Sequence, residues 1–406
     1  MENLNEQQAT NFLKSAMSRR GFLGAAGAVA ATGALAACGT GGSTTPAPAG
    51  SGTAAATFPT DVSDTEKIVR WANWPLYLDY DEDAKTYPTL DAFSAAPGIQ
   101  ATYKEEIDDN STFWGKVNGQ LKTGQDIGFD VVTPTDWMAS RFIQYGYAQP
   151  LDAAKIPNKT NILDNLANVS FDKGRNYSLT WQSGFAGLVW NKEKLPNGLQ
   201  SVEQLWSDEL KGKVTILSEM RDTMGILLMS LGIDISAGIT EAQFQQGLDL
   251  LAGKLDDGSV YKVQGNEYSK DLINDQVWAG IVWSGDIFIL NAEEGDKWGF
   301  ALPDSGGTLW SDNMLIPSTS AHQSNAMALM NHYYDPAVAA QVAAYVNYIC
   351  PVKGAKEEME KIDPALAASE FIFPSDETLT KAKGFPALDS ATEQLFSDLW
   401  ATTTGV

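Results

Sequence analysis

Two short stretches set an indole beside a carboxylate: Trp283-Ser284-Gly285-Asp286 and Trp310-Ser311-Asp312. An aromatic face attracts positive charge through its quadrupole, and a carboxylate accepts charge-assisted hydrogen bonds from N–H donors. The combination suits holding an organic cation better than breaking bonds. The same residues would equally serve as core tryptophans followed by capping or turn acids.

Other chemistries lack parts. His322 and His332 are the only histidines, and no cysteine or HExxH spacing supports a metal site. No G-x-S-x-G elbow and no glycine-rich phosphate loop occurs, and no cofactor is implied. The 51 acids leave carboxylate catalysis open, so a secreted carbohydrate-active enzyme is the competing class of function. A net charge of −23 argues against nucleic acid and anionic lipid as partners and is compatible with a cationic ligand.

The first 38 residues read as an export signal outside the fold. Ser18-Arg19-Arg20-Gly21-Phe22-Leu23 resembles the twin-arginine motif, and a weakly apolar run follows to Ala37. That run is short of the roughly 20 residues a membrane span needs. Leu35-Ala36-Ala37-Cys38 resembles a lipobox, which makes Cys38 the lipidated first residue of the mature chain and its membrane anchor. Cys350 is then the one remaining cysteine, with no intramolecular partner. Positions 39–56 hold only Gly, Ser, Thr, Ala and Pro, so 39–65 is expected to be a flexible tether.

The elements that must position the tryptophan–acid stretches follow a clear rhythm. A chain of 406 residues is long for one core, so two are expected. Apolar strands at 68–72, 99–103, 129–132, 187–190, 214–217 and 279–283 alternate with helical patterns at 112–122, 138–145, 223–231 and 241–251. Such alternation predicts α/β architecture with largely parallel sheets, and the two halves of the pattern meet near Ser183-Gly184. Helical patterns dominate afterwards, at 325–333, 336–348 and 387–400.

An ordered set of motifs then resembles the extracellular solute-binding lipoproteins of ABC importers, in particular the spermidine/putrescine-binding proteins. The motifs are Asn73-Trp74-Pro75-Leu76-Tyr77, Phe129-Asp130-Val131-Val132-Thr133-Pro134-Thr135, and Gly212-Lys213-Val214 through Arg221-Asp222. Ile281-Val282-Trp283-Ser284-Gly285, Gly306-Gly307-Thr308-Leu309-Trp310-Ser311-Asp312, Ile316-Pro317 and Asp335-Pro336 complete it. The resemblance implies a two-lobed periplasmic-binding-protein-like fold of type II, with two crossover hinge segments. One crossing falls near Ser183-Gly184 and the other between Trp298 and Thr308. Lobe 1 would take 66–183 plus 309–348, and lobe 2 would take 184–308 plus 349–406.

The resemblance also implies a non-enzymatic function. A polyamine is captured by cleft closure and delivered to permease subunits, by a monomer anchored outside the cytoplasmic membrane. Ligand-binding positions carry over as Trp74, Tyr77, Thr135, Trp137, Glu219, Asp222, Trp283, Trp310, Asp312 and Tyr348. Asp136 and Asp286 stand where the polyamine binders have uncharged residues. Either they cap the helices that follow, or they add negative charge to the cleft. Within the same class, another organic cation or small solute is the alternative ligand.

Overall fold

The computed structural model describes residues 58–107 and 110–405. The expected signal at 1–38, Cys38 and the tether up to residue 57 lie outside the described residues. Residues 58–65, expected to continue the tether, are docked instead. Val62 N donates to Ala321 O at 2.8 Å, and Ser324 N donates to the Asp61 carboxylate at 3.2 Å. Packing therefore begins ahead of the first strand.

Strand β1 (Ile68–Asn73) runs parallel to both β2 (Gln100–Glu105) and β3 (Val131–Val132). A short hairpin, β4 (Asn168–Val169) with β5 (Asp172–Lys173), leads into the 14-residue β6 (Ser178–Asn191). Next, β7 (Val214–Leu217) lies parallel to β8 (Val260–Gln264) and β9 (Ala279–Trp283). β10 (Trp298–Ala301), β11 (Gly307–Leu315) and β12 (Ala382–Lys383) finish the set. The order β2-β1-β3-β11-β6-β9-β7-β8 places two parallel ladders on the outside. Between them β6 and β11 run antiparallel and span both halves, because the chain must cross and return.

Helices α1 (Pro88–Ala95), α2 (Asn110–Thr123) and α3 (Asp136–Gln144) follow the first three strands in turn. α4 (Met220–Ser230), α5 (Glu241–Asp256), α6 (Tyr268–Ile273) and α7 (Ser284–Glu294) alternate with β7 to β9. After β11 come α8 (Gln323–Tyr333), α9 (Pro336–Val346), α10 (Ala355–Ile362), α11 (Pro364–Ala367), α12 (Asp376–Lys381) and α13 (Ser390–Thr404). Asn347, in the left-handed region at φ 60°, caps α9 and ends it short of the expected Tyr348.

Alternation along β1 divides the first half of the sheet between two apolar layers. Val69 and Trp71 join Met327, Tyr334 and Val346 on one face, while Ala72 joins Val132, Met138 and Phe142 on the other. A separate core gathers Leu188, Ile216, Leu227, Phe244, Val282 and Phe396. The fold is thus two-lobed α/β. One expectation about the lobes does not hold throughout: lobe 2 is expected to take all of 349–406, but Cys350, Val352, Met359 and Ile372 pack into the first core. The C-terminal helix α13 does reach the second core through Phe396 and Trp400.

The crossing itself is a narrow seam. Ser183 of β6 faces Ser311 of β11, and their hydroxyls lie 2.7 Å apart. On its other side Ser183 exchanges backbone hydrogen bonds with Ile349, at 2.8 and 3.2 Å. Register shifts just beyond, where Asp312 faces Gln182 but Asn313 faces Thr180. The extra residue, Trp181, is a bulge of the kind that re-aims neighbouring side chains.

Candidate functional site

On the regular part of β11 alternate residues share a face, so Thr308, Trp310 and Asp312 project together. Trp310 sits directly across from Gly184, and a Cβ there would come within 2.3 Å of the indole. Only glycine lets this ring lie across the neighbouring strand. Tyr348 packs at 71° to Trp310 with ring centres 5.2 Å apart, and at 83° to Tyr77 with 6.0 Å. Gly285, at the start of α7, admits Tyr348, whose ring a Cβ would approach to 2.4 Å. The two expected aromatic positions, Trp310 and Tyr348, are therefore brought together by two glycines from different strands and helices.

Asp312 is 5% exposed. Tyr77 OH donates to its Oδ2 at 2.8 Å, and Thr135 Oγ1 donates to Oδ1 at 2.6 Å. Burial pushes its carboxyl up to about 7; the two hydroxyl donors oppose the shift and nearby Asp136 adds to it. Among the described residues no Lys or Arg forms an ion pair with Asp312.

Asp222 is its counterpart in the second core, also 5% exposed. Trp283 Nε1 donates to Oδ2 and Thr308 Oγ1 to Oδ1, each at 2.7 Å. Burial pushes this carboxyl up to about 6, and the negative charge of Glu219 contributes next. The expected α4 starts three residues early because Glu219 caps it, accepting from Arg221 N at 3.2 Å. That cap places Arg221 and Asp222 in the first helical turn.

The two acids without a counterpart in the polyamine binders, Asp136 and Asp286, are both occupied within the protein. Trp283 joins Asp222 rather than the adjacent Asp286. Asp286 instead accepts from Asn266 Nδ2 and from Tyr268 OH, and the same hydroxyl accepts from Trp283 N at 3.2 Å. Asp136 is equally occupied, by Ser311 N at 3.0 Å and Asn313 Nδ2 at 2.8 Å. Neither acid caps its helix. Thr135 is the N-cap residue of α3, Trp283 that of α7, and Asp136 and Asp286 lie within the first turns.

A buried cation that sequence reading missed stands behind Asp136. Arg175 is 1% exposed and donates to Asn313 Oδ1 and Thr180 Oγ1, each at 2.7 Å, and to Leu166 O. Its charge offsets part of the burial that raises the Asp136 carboxyl. Asn313 thus links a buried arginine to a buried acid, which explains how an extra negative charge is tolerated here.

The remaining expected positions have protein partners. Trp74 Nε1 donates to Thr133 O at 2.8 Å, and its ring is half-buried against both first-core layers. Trp137 faces two guanidinium groups, Arg221 at 4.1 Å and Arg141 at 5.1 Å from the ring centre. Glu219 lies 3.4 Å from Arg221 Nη1, so part of its charge is spoken for. Arg221 also pairs with Glu393 at 2.6 Å. The local signal for this arginine was its place between two named acids, Glu219 and Asp222; Glu393 left none.

The histidines stand apart from these acids. His322 bridges Asp130 and Glu66 at 3.0 and 3.1 Å, and His332 contacts Thr89 O. Cys350 is buried and burial pushes its thiol up to about 12, which removes it as a nucleophile. Among the described residues no cluster of His, Cys, Asp or Glu could hold a metal ion, and no helix is long and apolar enough to cross a membrane. What the site offers is two buried carboxylates, each held by neutral donors and flanked by aromatic rings, an environment suited to cations.

Two α/β lobes joined by crossing strands, with such acids beside the crossing, define a binding protein of the periplasmic type. The bacterial extracellular solute-binding protein family model matches residues 89–368, and the chain belongs to that family. It is 24% identical over 323 residues to the spermidine/putrescine-binding periplasmic protein of Escherichia coli, covering 78% of this chain and 86% of that one. The crystal structure of the spermidine/putrescine ABC transporter substrate-binding protein of Streptococcus pneumoniae superposes with a TM-score of 0.71 at 26% identity. The match covers 83% of this chain and 98% of that one. The Tp0655 lipoprotein of Treponema pallidum shares the fold, with a TM-score of 0.70 at 19% identity over 84% and 100% of the two chains. These relatives are substrate-binding transport proteins rather than enzymes.

Proposed function

We propose that this protein captures a linear polyamine in the cleft and delivers it to the permease of an ABC importer, without chemistry. The observation that carries the reading is the pair Asp222 and Asp312, buried and lacking an ion-pair partner among the described residues. Asp222 is held at Thr308, and Asp312 lies four residues further along the same face of β11. At ~3.4 Å per residue those points are roughly 14 Å apart. That span suits a ligand with positive charge at both ends and methylenes between, which Trp283, Trp310 and Tyr348 would flank.

The names of the relatives, spermidine/putrescine binders, agree with the polyamine reading. Within this proposal the lobes meet at Ser183-Gly184 and Trp310-Ser311, the ligand closes them, and the chain acts as a monomer. Cys38 carries the lipid that holds it outside the cytoplasmic membrane.

Calorimetric titration with spermidine, putrescine and a neutral sugar tests the reading. Hydrogen bonds to charged groups of roughly 1.5–3 kcal/mol each predict a dissociation constant on the order of micromolar or tighter for an amine. Heat with the sugar and none with either amine would overturn it.

A further inference from the structure

The contacts around Trp137 join the two cores without involving the Asp222 or Asp312 side chains. Trp137 and Arg141 lie one turn apart on α3, whose Met138, Ala139 and Phe142 pack in the first half of the molecule. Arg221 is on α4 and Glu393 on α13, and both helices pack into the second core. Glu393 uses one oxygen for each side: Oε1 meets Arg221 Nη2 at 2.6 Å and Oε2 meets Arg141 Nη2 at 2.7 Å. The side chains are 13%, 14% and 22% exposed for Glu393, Arg221 and Arg141, so water screens them only in part. Arg221 and Arg141 also both pack against the Trp137 ring.

We propose that Glu393 is a positioning residue of the cleft: its carboxylate clamps Arg221 onto Trp137 and, through Arg141, ties the C-terminal helix to the first core. Two guanidinium groups meet Glu393 and Glu219, so the cluster is balanced in charge and leaves the ligand's charges to Asp222 and Asp312. Arg221 precedes Asp222 in the first turn of α4. Holding its guanidinium therefore holds the turn that presents Asp222. The clamp spans the two cores and stabilises only the arrangement in which they are adjacent, so it shifts the closing equilibrium without touching ligand. Trp137, packed against both guanidinium groups, is part of this clamp.

The effect on affinity rests on the polyamine reading; the effect on closure does not. The test uses the full chain carrying Glu393→Gln, Arg141→Met or both, titrated with spermidine and followed by small-angle X-ray scattering with and without ligand. Each single substitution is expected to weaken spermidine binding about tenfold, with the double variant no weaker than either, because both break one clamp. Leu395→Ala, at an exposed position on the same helix, is expected to bind as the unmodified chain does. Additive losses, or a Glu393→Gln variant that binds and closes normally, would overturn the clamp. If the unmodified chain takes no spermidine, a larger radius of gyration for ligand-free Glu393→Gln still supports the clamp, and an unchanged radius overturns it.

Discussion

Asp312 and Asp222 are both buried acids at the crossing of two lobes, yet their surroundings differ. Asp312 is held by two hydroxyls, Tyr77 and Thr135, from the first core, and its nearest charged neighbour in effect is another acid, Asp136. Asp222 is held by an indole N–H and one hydroxyl, and next to it Glu219 is matched by Arg221. The first acid therefore lies further from its ordinary range, at about 7 against about 6. If the two acids are the ends of one polyamine site, as proposed, the comparison teaches that those ends need not hold a cation equally. The end with the more costly buried charge has more to gain from one.

Substituting the acids exposes the difference most directly. Asp312→Asn is expected to weaken polyamine binding by about 30-fold or more, since losing one partner of a buried charge pair costs about 2–5 kcal/mol. The same change should raise the melting temperature of the ligand-free chain at pH 8. A carboxyl whose folded value is raised binds protons more tightly in the folded state, so it opposes folding once pH exceeds its unfolded value near 4. The opposition is fully developed above about 7 for Asp312 and above about 6 for Asp222. Asp222→Asn should follow the same pattern with a smaller thermal gain; equal gains would remove the contrast. Calorimetry and thermal unfolding at pH 5 and pH 8 read both.

Titration of the unmodified chain separates the two ends without mutation. An ammonium binds the ionised carboxylates, so affinity is expected to rise between pH 5 and pH 8, with protons released on binding. Steps near 6 and 7 would sharpen the comparison, and a flat affinity profile would break it. Gly285→Ala should act next in size. The added methyl drives into Tyr348, which touches both Trp310 and Tyr77, at a cost of about 1–3 kcal/mol and a corresponding loss of affinity. Trp283→Phe is the mildest test. It keeps a ring but removes the hydrogen bond to Asp222, and up to tenfold weaker binding is expected in the same titration.

Much of this site was legible along the chain because its strand carries it. Thr308, Trp310 and Asp312 share a face by alternation alone, and the motif around them resembled a family to which the chain does belong. Contacts between distant segments were not legible. Trp283 chooses Asp222, 61 positions away, over the Asp286 three positions on, since α7 carries Asp286 toward Asn266 and Tyr268. The placement of 350–372 in the first core was hidden for a similar reason: a helical pattern shows that a face is apolar, not which core covers it.

By itself the sequence determined the alternation of strands and helices, the aromatic–acid face of β11, and the absence of common catalytic constellations. Those properties depend on residue type and short spacing. Only the tertiary structure decided which acids lack an ion-pair partner among the described residues and which are matched within the protein. Arg175 reaches Asp136 through Asn313, and Arg221 meets Glu393 across 172 positions of chain. Charge compensation acts over a few ångströms in space, and nothing in local periodicity records which distant residues folding will bring within that reach.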